Sequence, residues 1–206
     1  MLLSAHQLSC VRQDRVLFEQ LDVQLFGGEV LQIAGKNGAG KSSLLRVLAG
    51  LAEPEDGQVC YRSVPLAQSA DDYADNLCFI GHLAGVQPQL TALENLAFWR
   101  ACFALQAADD WALLAQLGLA GLEDIPCQQL SAGQQRRVSL SRLWLTKATI
   151  WILDEPFTAL DQSAIAALTA QIGRHCNAGG AVLLTSHQPI EVPGHTVRQL
   201  MLEYRW

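Results

Sequence analysis

The sequence predicts an α/β fold: a parallel-sheet core, an antiparallel β subdomain at the start, and an inserted helical subdomain. Three observations support this expectation. An apolar strand, Val30-Leu31-Gln32-Ile33-Ala34, runs into a glycine-rich loop and then into a helix with periodic leucines. In the second half, helix and strand patterns alternate over 132–147, 149–153, 162–175 and 181–185, as in a parallel sheet covered by helices. Between these two regions the pattern over 91–121 is helical.

In chain order, residues 1–26 read as two or three strands, about 2–11, 15–18 and 21–26, with Gln13-Asp14 as a turn. Gly27-Gly28 leads into the strand before the loop. The helix after the loop, from Ser42 to Ala49, stops at Gly50. A turn at 54–57 opens a strand over 58–62, the polar stretch 69–76 reads as loop, and 77–80 as a short buried strand. Leu93, Leu96, Ala97 and Phe98 space one helix; Trp111, Leu113, Leu114 and Leu117 space another, ended by Gly118. This block carries no catalytic residue types at useful spacing and reads as a recognition subdomain. The expected division is a core of 1–82 and 148–206 with about 83–147 inserted, all in one domain. A last strand falls within 196–204.

Composition narrows the function classes. Half the residues are hydrophobic and 17% are charged, the balance of a soluble globular chain. No apolar run approaches the length of a membrane span. The start, MLLSAHQLSC, lacks a basic n-region and a long apolar stretch, so no signal peptide is expected and the chain is expected in the cytosol. A net charge of −6 argues against a nucleic-acid partner. The tight basic pair Arg136-Arg137 reads as a solvated helix face. Six cysteines without a C-x-x-C spell out no metal site and are expected to be reduced.

The loop itself is the strongest local signal. Gly35, Lys36, Asn37, Gly38, Ala39, Gly40, Lys41, Ser42 and Ser43 fit the pattern G-x-x-x-x-G-K-[ST], placed between a strand and a helix as that motif requires. Phosphates need many donors close together, and successive backbone N–H groups in a glycine-rich turn supply them. The helix start adds the positive end of its dipole. Lys41 is expected to reach the β- and γ-phosphates of a nucleotide, and the Ser42 hydroxyl to ligate Mg²⁺. A glycine-rich turn that binds nothing is the alternative.

A second apolar strand, Thr149 to Leu153, delivers Asp154 and Glu155 at its carboxyl end, where open parallel sheets bind ligands. Asp154 is placed to hold Mg²⁺, and Glu155 to orient or deprotonate a water that attacks the γ-phosphate. Alone, a strand ending in Asp-Glu is weak evidence. Behind a complete phosphate loop it is strong.

Leu130-Ser131-Ala132-Gly133-Gln134 decides among nucleotide-binding folds. With it, the sequence resembles the ATP-binding cassette family, whose signature reads LSGGQ. The resemblance covers essentially the whole chain and adds Thr158-Ala159-Leu160-Asp161 as the family's D-loop and Thr185-Ser186-His187 as its switch histidine. It implies a phosphate-loop ATPase fold of cassette type, with ATP and Mg²⁺ as cofactors. Ser131, Ala132, Gly133 and Gln134 would meet the γ-phosphate held by a second copy, so that a homodimer sandwiches two ATPs. His187 would hydrogen-bond the γ-phosphate and position water beside Glu155. Ala132 stands where the family has glycine; a methyl there is expected to be tolerated if φ is negative.

Two further departures matter. Where the family places a Mg²⁺-binding glutamine after the strand leading into the helical subdomain, this chain reads Phe79-Ile80-Gly81-His82. His82 is expected to take that role and make coupling pH-sensitive, an idea that an unchanged pH profile in His82→Gln would exclude; Gln87 and Gln89 lie beyond the strand end. The aromatic base platform has no clear counterpart: Arg12 is nearest, with Phe18 as the alternative if the register differs. Within the family, the runs Leu153 to Asp161 and Leu184 to Pro189 resemble the ATP-binding subunits of haem exporters in bacterial cytochrome c maturation. That resemblance implies integral membrane subunits of a haem-handling complex as partners and a peripheral position on the cytoplasmic face of the inner membrane, with contact between His82 and about Ala101. No residue looks like a haem ligand, so haem is not expected to bind this chain directly.

Overall fold

The computed structural model describes residues 1–103 and 109–204. Strands β1 (Leu3–Arg12), β2 (Arg15–Leu25), β4 (Asp56–Tyr61) and β5 (Val64–Pro65) form an antiparallel sheet in the order β2-β1-β4-β5. Strands β3 (Val30–Ala34), β6 (Leu77–Ile80), β7 (Ile150–Leu153), β8 (Ala181–Thr185) and β9 (Val197–Met201) form a parallel sheet in the order β6-β7-β8-β3-β9. Strand β3 therefore sits between the last two strands of the chain. The inner strands read as near-continuous apolar runs because both of their faces are covered.

Helix α1 (Lys41–Leu48) follows the phosphate loop, and its Leu44, Leu45 and Leu48 are fully buried in a core shared by both sheets. A second core lies across the parallel sheet, where α7 (Gln162–Asn177) packs Leu168 and Ile172 against Val182 and Leu184. The helical subdomain has a core of its own. There α3 (Ala92–Phe103) and α4 (Asp110–Gln116) contribute Leu96, Trp99, Leu113 and Leu114, and α5 (Ala132–Leu140) contributes Val138. The expected helix over 132–147 continues past α5 into the single turn α6 (Arg142–Leu145). Residues 104–108 of the expected 91–121 block lie outside the described residues.

Two expectations change. The separate strands over 15–18 and 21–26 are one strand, β2, which bends at Gln20 with φ +52 where its register against β1 is irregular. The expected loop over 69–76 is mostly helix: α2 (Leu66–Asp75) is kinked at Ser69, whose hydroxyl donates to Pro65 O at 3.1 Å. One side chain, Tyr73, is buried there, and its hydroxyl donates to Leu48 O at 2.7 Å. A single anchor in a run of Ser and Asp leaves almost no helical period to read.

Candidate functional site

The parallel sheet brings five chain segments to one edge. Ile80 pairs with Leu153, Leu153 with Leu184, Ile33 with Thr185 and Ala34 with Met201, so the carboxyl ends of all five strands align. Gly81-His82, Asp154-Glu155, Ser186-His187, the Gly35–Gly40 loop and residues 202–204 leave the sheet at that edge, which is where such sheets bind ligands.

The loop between β3 and α1 is framed by the chain around it. Gly35 has φ +146, and a Cβ there would stand 2.6 Å from Leu202 O, so only glycine fits against the exit of β9. Lys41 folds back along the loop, its Nζ donating to Gly35 O at 2.7 Å and Lys36 O at 3.3 Å. Ala39 is buried, whereas Ser42 is exposed at the first turn of α1. Arg15 lies over the Tyr204 ring at 4.0 Å and donates to Gly38 O at 3.1 Å, so the β1–β2 hairpin and the segment after β9 both touch the loop's tip.

At the end of β7, with β8 between it and β3, Asp154 is buried and accepts at Oδ1 from the Thr185 hydroxyl at 2.8 Å. That hydroxyl also accepts the Glu155 N–H at 2.8 Å. One side chain on β8 therefore holds both acids. Glu155 has φ +50, a left-handed conformation that costs an ordinary residue roughly 1–2 kcal/mol. Its Oε1 is buried without a hydrogen-bond partner and lies 3.6 Å from His187 Nε2. A buried acceptor left without a hydrogen-bond partner costs about 1–3 kcal/mol.

His187 is half-exposed on a turn held from below by Gln32. This side chain lies in the middle of β3, is 2% exposed, and donates to Gln188 O at 2.9 Å and Ser186 O at 3.5 Å. Its oxygen accepts from Gln199 on β9 at 3.2 Å. Sequence reading passed over Gln32 because one polar residue in an apolar strand gives no sign of what it faces.

Helix α5 starts at Ser131 with a capping box: Ser131 Oγ accepts the Gln134 N–H at 3.3 Å, and Gln134 Oε1 accepts the Ser131 N–H at 2.8 Å. Ala132 opens the helix without a positive φ, the condition set for tolerating its methyl. A Cβ on Gly133 would lie 2.4 Å from Ala159 O, so this helix start presses on the 158–161 segment. Asp161 caps α7 by accepting the Ala164 N–H at 2.8 Å, and Arg137 pairs with it at 3.1 Å. Ser131 and Ala132 face solvent, and among the described residues no hydrogen bond joins 131–134 to the phosphate loop.

The expectation of a solvated Arg136-Arg137 face is wrong at Arg136. Arg136 is 5% exposed and donates to Asp154 O at 2.6 Å, Gly81 O at 2.7 Å and Glu155 O at 3.1 Å. Burial pulls its pKa below the ordinary arginine value, against the opposing pull of the Asp154 carboxylate. Carbonyls from two strand ends converge there, and no local spacing encodes that.

His82 is exposed directly after β6. The main chain of Gln87 is tied to Asn95 on α3, through Gln87 N to Asn95 Oδ1 at 2.7 Å. Arg12 ends β1 and lines a cavity of about 290 Å³ together with Ser43, Val47 and Glu53. Phe18, the other base-platform candidate, is 4% exposed in the core and offers no face to a ligand. Ser42 and Asp154, the residues expected to hold a cation, offer oxygens, the kind of donor hard cations prefer. No cluster of three or more His, Cys, Asp or Glu suited to a metal occurs among the described residues. Such a donor set suits a cation held largely by substrate phosphates and water.

Comparison with known proteins agrees with this geometry. The ABC transporter family profile matches residues 18–158. A protein of Idiomarina loihiensis named "Cytochrome c biogenesis ATP-binding export protein CcmA" is 52% identical over 204 residues, covering 99% of this chain and 94% of that protein. A solved ATP-binding subunit of an ABC transporter superposes with a TM-score of 0.81 at 27% identity, covering 91% of this chain and 80% of the other. A dimeric cassette in a post-hydrolysis state with ADP and phosphate superposes with a TM-score of 0.76 over 90% of this chain and 88% of that one; at 21% identity it supports the fold alone. The chain belongs to the ABC transporter family, as one of its ATP-hydrolysing cassettes.

Proposed function

We propose that this cassette hydrolyses ATP for a membrane complex that exports or delivers haem in c-type cytochrome biogenesis. The name of a relative 52% identical over nearly the whole chain supports the assignment to cytochrome c biogenesis; haem as the cargo follows from the sequence resemblance. The division of labour follows from the strand-end constellation. Glu155 takes the proton of a water as its oxygen attacks the γ-phosphorus and the bond to the ADP oxygen breaks; the orphaned, buried Oε1 is the observation that carries this role. His187, 3.6 Å away, orients that water and the γ-phosphate. Backbone N–H groups of 35–43 and Lys41 hold the phosphates, with Lys41 exchanging its loop carbonyls for phosphate oxygens. Ser42 and Asp154 would hold Mg²⁺, which neutralises charge on the phosphate oxygens. His82, whose imidazole is a poor direct ligand for so hard a cation, would contribute through a water. Arg12 would face the base.

Two copies would complete the reaction. Ser131, Ala132, Gly133 and Gln134 make no hydrogen bond to their own phosphate loop among the described residues and would close on the nucleotide of a partner copy. The described residues include no helix long and apolar enough to cross a membrane, which fits a peripheral subunit docked on integral partners at the cytoplasmic face of the inner membrane. The test is a strain whose only copy is Glu155→Gln. Hydrolysis is expected to fall by about 10²–10⁴ with ATP binding retained, and covalent haem on periplasmic c-type cytochromes, read by haem stain, should disappear. Normal cytochromes with hydrolysis abolished would assign the cassette to another membrane partner. Undiminished hydrolysis would remove Glu155 from its role.

A further inference from the structure

We infer that Arg136 is a positioning residue for hydrolysis, fixing the main chain of Glu155 and tying it to the Gly81-His82 loop. The inference rests on reading Glu155 as the base. Arg136 comes from α5, the helix that begins with Ser131, and its guanidinium reaches across to the core. One terminal nitrogen donates to Asp154 O at 2.6 Å and Glu155 O at 3.1 Å; the other donates to Gly81 O at 2.7 Å and, at the limit of a hydrogen bond, to His82 O at 3.5 Å. Two strand ends, β6 and β7, are thus held by a single planar fork.

The energetics favour a positioning role over a simple brace. A buried cation is costly unless its donors find partners, and here both terminal nitrogens do, while Nε is left without one. The partners are not carboxylates, as an ion pair would use, but main-chain carbonyls of the two acidic residues and of the loop bearing His82. Glu155 itself sits at φ +50, a conformation that persists only when its surroundings over-determine it. Thr185 holds its N–H from β8 and Arg136 holds its carbonyl from α5. Both ends of that strained residue are pinned by side chains from different elements. A movement of Gly81-His82, or of α5 relative to the core, is therefore transmitted to the peptide that aims Glu155.

Lysine is the discriminating substitution. It keeps the charge and the stem, but its ammonium is a point donor that cannot fork across both strand ends. In the full chain, Arg136→Lys is expected to leave KM for ATP within about twofold and to lower kcat about tenfold, with Arg136→Met falling further, towards the 10²-fold that a misplaced catalytic group can cost. Amide hydrogen exchange should accelerate together at 81–83 and 154–156 in Arg136→Lys, while the rest of α5 stays protected. Added to Glu155→Gln, Arg136→Lys should slow hydrolysis no further, because both act on one step. If Arg136→Met does not fold, the lysine variant decides. Wild-type kcat in Arg136→Lys, or a loss fully additive with Glu155→Gln, would overturn the inference. Wild-type hydrolysis in Glu155→Gln alone would instead bring down the base assignment, and the role of Arg136 with it.

Discussion

A single hydroxyl, that of Thr185, carries much of the site's order. It donates to Asp154 and accepts from the Glu155 N–H, both at 2.8 Å, from a fully buried position. Valine has nearly the same shape but neither function. Thr185→Val would leave a buried N–H unpaired and free the Asp154 carboxylate, and is expected to lower stability by about 1–3 kcal/mol and kcat by at least tenfold. Denaturant titration and steady-state ATP hydrolysis measure the two; an unchanged kcat would show that the acids hold their positions without it. At this scale the sequence is legible where chemistry is contiguous. Residues 35–43 and the pair Asp154-Glu155 stand together in the chain, so type and order alone suggest roles for them. Arg136 and Gln32 cannot be read that way. The carbonyls that explain Arg136 include one 55 residues away, and those that explain Gln32 lie more than 150 residues away.

Elements were legible in proportion to their period. Strand β7 is apolar throughout, β3 and β8 are apolar but for Gln32 and Thr185, and α7 has a clear buried stripe. Helix α2 has only Tyr73 to bury, and is hidden among one serine and three aspartates. The contact between β7 and α7 holds a feature that periodicity does not reveal: the His175 and Trp151 rings stack with centroids 3.8 Å apart and planes 10° from parallel. Burial pushes the His175 pKa down to about 4 from 6.5, outweighing hydrogen bonds with the Thr149 and Ala181 backbone that would raise it. The imidazole is neutral in the fold and binds a proton more readily in the unfolded chain. Stability is therefore complete above pH 6.5 and falls as the pH drops from 6.5 towards 4, by at most about 3 kcal/mol before discount for the part of the ring that meets solvent. Urea titrations at pH 7 and pH 5 should show this loss in the wild type and a smaller one in His175→Phe, which keeps the stack. Equal losses in both would place the acid sensitivity elsewhere.

At the level of the whole molecule, the sequence supports a parallel sheet but not its order. The placement of β3 between β8 and β9 depends on pairings across most of the chain, and these leave no local trace. On the proposed sandwich, the strand ends would hold one nucleotide and the start of α5, where Ser131 and Ala132 are exposed, would close on that of a second copy. Glu155→Gln is expected to run as a dimer in ATP and as a monomer without nucleotide by sedimentation or size exclusion. A monomer in saturating ATP would rule out the sandwich.

The position of β3 also sets an order of events during synthesis. The phosphate loop leaves the ribosome well before residues 181–201, which supply both neighbours of the strand behind it, and before Leu202, whose carbonyl packs against Gly35. Pairings of such long sequence separation form late. Until residues 181–202 emerge, a nascent chain thus carries its nucleotide motif unframed, and a product that stops before β8 and β9 would have no framed loop with which to compete for ATP.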